Sequence, residues 1–126
     1  MRASRHSILI IDDEEDLVAS LAFRFGAAGY DALIEPNGQL GFQTALDEQP
    51  SLILLDVMMP GLDGYEVLRM LRARQETRAT PVIMLTTKSL MRDVERAFAD
   101  DADDYVTKPF EWDRLLNKVE RLIATR

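Results

Sequence analysis

The sequence predicts a doubly wound α/β domain: a five-stranded parallel sheet with helices on both faces. Two observations carry that reading. Short apolar runs alternate five times with stretches of helical periodicity, the pattern of successive β-α units. The apolar runs are also nearly continuous rather than alternating, as strands buried on both faces require. A length of 126 residues suits one such domain, taken here as residues 1–126, and hardly two.

Each element has its own signal. Ile8-Leu9-Ile10-Ile11 reads as the first strand and ends in Asp12-Asp13. Leu17, Val18, Leu21, Ala22 and Phe25 then recur at helical spacing until Gly29 supplies a stop. A weaker strand, Asp31 to Glu35, meets the turn chemistry of Pro36-Asn37-Gly38. A second helix from about Gln39 to Asp47 leads through Pro50 into the strand Leu52 to Asp56. Asp63 can cap a third helix, about Gly64 to Arg74, with Glu66 placed for a capping box. Pro81 opens the strand Val82 to Thr86, and Ser89 can cap a fourth helix with Leu90, Val94, Ala97 and Phe98 inward. A short strand, Tyr105 to Thr107, precedes Lys108-Pro109. A fifth helix from about Glu111 to Ala124 turns Leu115, Val119, Leu122 and Ile123 inward.

Composition narrows the function classes. The chain has no cysteine, which excludes disulfides, thiol catalysis and Cys-based zinc sites. A formal net charge of −7 argues against a direct nucleic-acid surface, because phosphate contacts need Lys and Arg. No apolar run approaches the roughly 20 residues of a membrane span, and MRASRHS lacks a signal peptide's apolar core. The expectation is a cytoplasmic protein with no membrane association.

The strand ends locate the chemistry. In doubly wound sheets ligands bind beyond the C-terminal ends of the strands, where the strand order reverses. With the flavodoxin-like order 2-1-3-4-5, strands one and three are neighbours. Asp12, Asp13 and Asp56 should then converge, with Thr86 and Lys108 at the ends of strands four and five. An acidic pair alone is most simply solvated charge favouring a helix N-terminus; in register with Asp56 and Lys108 it reads as a cluster. Three carboxylates held together repel unless something neutralises them, and an all-oxygen site suits magnesium or manganese. A carboxylate can attack phosphorus to form an aspartyl phosphate, while a metal, the Lys108 ammonium and the Thr86 hydroxyl neutralise the phosphoryl oxygens.

The motifs IIDDEE, LILLDVMMPGLDG, VIMLTT and DDYVTKPF, in that order and spacing, resemble the response-regulator receiver domain of two-component signalling, the CheY-like superfamily. The resemblance spans essentially the whole chain. It implies that Asp56 accepts phosphate from the phosphohistidine of a sensor histidine kinase or phosphotransfer protein. It implies magnesium held by Asp12, Asp13, Asp56 and the Met58 backbone carbonyl, Lys108 on the phosphoryl group, and a cis Lys108-Pro109 bond. Thr86 and Tyr105 match the family's switch positions, whose movement reshapes the face of the fourth helix, fifth strand and fifth helix. That face would control a downstream protein or output domain, or a phosphorylation-dependent homodimer. Such a protein is not a conventional enzyme, although it catalyses its own phosphorylation and dephosphorylation.

Two positions depart from the family pattern. Thr87 stands where many receivers carry a small residue, and Asp101 where many carry the glycine that ends the fourth helix. Neither removes a working group. Two other functions compete. A magnesium-dependent phosphohydrolase using an aspartyl-phosphate intermediate would want a second acid two residues after Asp56, where Met58 stands. A flavin- or nucleotide-binding doubly wound domain would want a Gly-rich phosphate loop, and none is present. His6 is expected in solvent. Trp112 fits either a partner contact or partial core.

Overall fold

The computed structural model describes residues 5–87 and 102–125. The predicted fourth helix, with its Ser89 cap and its apolar face of Leu90, Val94, Ala97 and Phe98, and Asp101 lie outside the described residues. Strands β1 (Ser7–Ile11), β2 (Asp31–Glu35), β3 (Leu52–Asp56), β4 (Val82–Thr87) and β5 (Asp104–Lys108) form one parallel sheet in the order β2-β1-β3-β4-β5. Helices α1 (Glu15–Ala27), α2 (Gly38–Glu48), α3 (Gly64–Arg72) and a last helix, Trp112–Ala124, are described around it. The predicted sheet and strand order are therefore borne out, with four of the five predicted helices among the described residues.

Burial divides cleanly across the sheet because side chains alternate along each strand. Leu9, Ile11, Ile53 and Leu55 pack on one face with Ala45 of α2 and Tyr65, Val67, Leu68 and Leu71 of the α3 segment. Ile8, Ile10, Leu52 and Leu54 pack on the other with Val18, Leu21 and Phe25 of α1 and Leu115 and Val119 of the last helix. Every residue of β3 is buried. Each of its four apolar side chains contributes about 1.5–3 kcal/mol of transfer free energy, which fixes the strand that ends in Asp56.

The helix ends follow local chemistry. Asp63 and Glu66 form the capping box at the start of α3, with Glu66 N–H donating to Asp63 Oδ1 at 2.9 Å. At its other end α3 stops at Arg72, two residues before the expected Arg74. There the Thr77 hydroxyl donates to the Leu71 carbonyl at 2.6 Å and so ties the turn to the helix end. The Arg72 guanidinium reaches the carbonyls of Arg78 at 3.2 Å and Thr80 at 2.8 Å. The same side chain binds Asp103 Oδ2 at 3.0 Å, and Asp103 also accepts the Val82 N–H at 2.8 Å. Arg72 thereby joins the α3–β4 turn to the start of β5. Trp112 resolves as partial core: its ring meets Phe25 edge-on at 4.7 Å, beneath the Arg24 guanidinium. His6 is exposed, with Nδ1 3.1 Å from the Ser51 hydroxyl.

Candidate functional site

Strand register assembles the acidic crevice. Ile11 lies opposite Leu55, so the next residues, Asp12 and Asp56, leave neighbouring strands side by side. Ligand oxygens of Asp12, Asp13 and Asp56 all lie within 4.8 Å of one another. Asp12 and Asp56 are buried, while Asp13 is exposed at the rim. Lys108, at the end of β5, reaches across the crevice. Its Nζ lies 2.8 Å from Asp12 Oδ2, 2.7 Å from Glu14 Oε1 and 3.6 Å from Asp56 Oδ1. The Lys108–Pro109 peptide bond is cis.

Backbone groups fix the carboxylates. Asp12 Oδ1 accepts the Glu14 N–H at 3.0 Å, and Asp56 Oδ1 accepts the Met58 N–H at 3.2 Å. The Met58 side chain points to solvent. Gly64 lets α3 press against the acidic strand end: its N–H donates to the Val57 carbonyl at 2.9 Å. A Cβ there would lie 2.8 Å from Val57 Cα and collide with the Asp56 carbonyl oxygen.

The electrostatics follow from burial and charge. Burial, then repulsion from Asp12, pushes the Asp56 carboxyl up to about 7, with Lys108 and the Met58 N–H opposing and Asp13 adding to the rise. Burial disfavours the Lys108 charge, yet its hydrogen bonds to Asp12 and Glu14 and the fields of Asp56 and Asp12 prevail and raise its pKa. The crevice therefore holds more negative charge than one ammonium balances. Its donors are all carboxylate oxygens, a set that fits a hard divalent cation such as magnesium or manganese.

The two residues expected to form the switch, Thr86 and Tyr105, lie on adjacent strands. Thr86 is buried at the end of β4, one residue past the Asp56–Leu85 pairing, and its hydroxyl donates to the Thr87 carbonyl at 3.4 Å. Tyr105 is half-buried on β5 opposite Met84 and packs against the core cluster that contains α3. Thr87 is exposed and contributes to the wall of a cavity beside Lys108. Sequence reasoning missed Glu14, which sits in a run of five acids where nothing marks one as special. It also missed Gly64, although a glycine straight after a helix-capping Asp was a usable signal for close approach.

A crevice of carboxylates facing one lysine, at the reversal point of a doubly wound sheet, is an arrangement that suits a divalent cation and a phosphoryl group. Comparison with known proteins carries this further. Residues 8–120 match the response regulator receiver domain family, and the chain belongs to it. It is 44% identical over 112 residues to the transcriptional regulatory protein YkoG of Bacillus subtilis, covering 89% of this chain and 48% of that protein. The chain thus spans about half the length of the curated relatives it matches. The fold superposes on the chemotaxis protein CheY4 of Vibrio cholerae with a TM-score of 0.89 at 25% identity, covering 94% and 99% of the two chains. The receiver domain of the sensor histidine kinase PA1611 of Pseudomonas aeruginosa superposes with a TM-score of 0.88 at 28% identity, covering 96% and 99%. In that structure a magnesium ion is coordinated in the active-site cleft.

The chain is accordingly a receiver domain of the two-component type, a family of phosphorylation-dependent switches that work with sensor histidine kinases. These relatives lend no support to the phosphohydrolase alternative. No helix among the described residues is long and apolar enough to cross a membrane.

Proposed function

We propose that Asp56 is the phosphoacceptor, taking a phosphoryl group from the phosphohistidine of a sensor histidine kinase or phosphotransfer protein. One observation carries this reading: Asp12, Asp13 and Lys108 all converge on the carboxylate of Asp56 at the end of β3. A carboxylate oxygen of Asp56 attacks phosphorus, the P–N bond breaks, and the imidazole leaves with the bonding pair and regains a proton. Lys108 neutralises charge on the phosphoryl oxygens, and the Thr86 hydroxyl turns toward one of them. Asp12, Asp13, Asp56 and the Met58 carbonyl would hold magnesium, or manganese, whose charge would offset the oxygens that the Lys108 ammonium alone cannot. Water attack on phosphorus later returns the Asp56 carboxylate and inorganic phosphate, so the domain catalyses both steps on itself.

The phosphorylated state differs through its new Thr86 and Lys108 contacts, and the population shift can be no larger than their differential free energy. With Thr86 drawn toward the phosphate, Tyr105 turns inward and reshapes the face of β5 and the helices beside it, the proposed fourth helix included. That face controls an output domain or partner protein, or a phosphorylation-dependent homodimer. We place residues 1–126 as one receiver domain acting in the cytoplasm, without direct contact to nucleic acid or membrane.

The test is intact mass after incubation with a small acyl phosphate, with and without magnesium. One metal-dependent, base-labile phosphoryl group is expected on the wild type and none on Asp56→Asn. Equal labelling of that variant would reject the assignment.

A further inference from the structure

We propose that Glu14 is a positioning residue that latches Lys108 in the unphosphorylated protein and so sets how readily Asp56 takes up phosphate. This rests on the assignment of Asp56 and Lys108 above. Lysine has three N–H donors. Here Asp12 and Glu14 accept from Nζ at 2.8 and 2.7 Å, and Asp56 stands beyond hydrogen-bond distance at 3.6 Å. The ammonium that should meet the phosphoryl group is therefore directed toward two other carboxylates.

The two partners differ in kind. The Asp12 side chain is fully buried and belongs to the acidic crevice, whereas the Glu14 side chain is 59% exposed. A cation drawn to Asp12 would leave Glu14 as the ammonium's remaining competitor. Glu14 is also the residue preceding α1, a position where side chains normally cap the helix, yet its carboxylate makes no cap hydrogen bond. It reaches to Lys108 instead. Glu14 and Lys108 together line a cavity of about 370 Å³ with Leu17, Thr87, Pro109 and Phe110, open beside the crevice. A phosphodonor entering there meets an ammonium already engaged by an exposed carboxylate. Uptake of phosphate requires Lys108 to exchange Glu14 for a phosphoryl oxygen.

The control is Glu15, an exposed acid one residue on, with no ion pair to Lys108 among the described residues. Glu15→Gln removes the same charge without touching the latch. In the full chain, Glu14→Gln is expected to raise the phosphorylation rate by an acyl phosphate roughly two- to five-fold, the range of a partly exposed ion pair. The same variant should tighten binding of beryllofluoride, a tetrahedral phosphoryl mimic, by a similar factor. Glu15→Gln should change either by less than about 1.5-fold, because solvent and salt screen it. In magnesium-free protein the ¹⁵N resonance of the Lys108 ammonium should shift in Glu14→Gln and stay put in Glu15→Gln. Equal effects of the two variants, or an unmoved Lys108 resonance, would overturn the latch. Absence of label on wild-type Asp56 would instead overturn the phosphoacceptor assignment beneath it.

Discussion

Gly64 stands so close to the Asp56 carbonyl oxygen that no Cβ fits between them. The first turn of α3 therefore buttresses the backbone of the residue that carries the chemistry, and the obstacle is main chain, which cannot swing aside. Gly64→Ala should cost about 1–3 kcal/mol in urea unfolding, the usual penalty of overpacking. Gly26 is the counter-case. It lies inside α1, and a Cβ there would meet nothing within 4 Å. Gly26→Ala should stabilise by about 0.5–1 kcal/mol, by helix propensity and a less flexible unfolded chain. If the two substitutions have the same sign, the packing argument at Gly64 fails.

What could be read in advance divides along a physical line. Strands such as Leu52 to Asp56 announced themselves because burial on both faces demands unbroken apolar runs, and the capping box at Asp63 is a local pattern. Asp12, Asp13, Asp56 and Lys108 were legible as a group once the strand order put their ends together. Glu14 was not, because its partner lies 94 residues away and its acidic neighbours look alike. The early end of α3 was equally hidden: it depends on Arg72 finding carbonyls and Asp103 in three dimensions, which no periodicity encodes.

That arginine supports a second prediction. Arg72 is largely buried along its side chain and joins the α3–β4 turn to Asp103, which also holds the first N–H of β4. Arg72→Ala leaves the Thr80 carbonyl and Asp103 without this donor, a loss of about 1–3 kcal/mol by chemical denaturation. Arg74 and Glu76 form an ion pair 3.1 Å long but exposed on both sides. Arg74→Ala should cost less than about 0.5 kcal/mol. Comparable losses for the two would mean that Arg72 is only another surface charge.

Asp56 makes the fold sensitive to pH when no divalent cation is present. Its carboxyl is raised from 3.8 to about 7 by burial and by Asp12, so the folded state favours the neutral acid. A folded pKa above the unfolded one gives a stabilising contribution that is full below about pH 4 and is lost as pH climbs through about 7. In a chelator, wild type should therefore lose stability relative to Asp56→Asn across that window, with the variant the more stable of the two at pH 8. Magnesium should restore the wild type at pH 8, by about 2.7 kcal/mol at a hundredfold excess over Kd. Parallel pH profiles for the two proteins would show that Asp56 carries no such strain.

Lys108 and a bound cation should substitute for one another, because both neutralise Asp12. The Asp12 side chain is fully buried and its salt bridge to Nζ is 2.8 Å long. Removing one partner of such a pair strands the other charge, which costs about 3–5 kcal/mol. Lys108→Ala should show a loss of that order in chelator at pH 8. Magnesium should recover most of it, because the cation supplies the charge that the ammonium gave. By the same linkage the variant should bind magnesium more tightly than wild type, since no ammonium competes for Asp12. Titration calorimetry and thermal unfolding across a magnesium series measure both sides of that coupling. Magnesium affinity weaker in Lys108→Ala than in wild type would mean that ammonium and metal cooperate at the crevice, and competition for Asp12 would have to be abandoned.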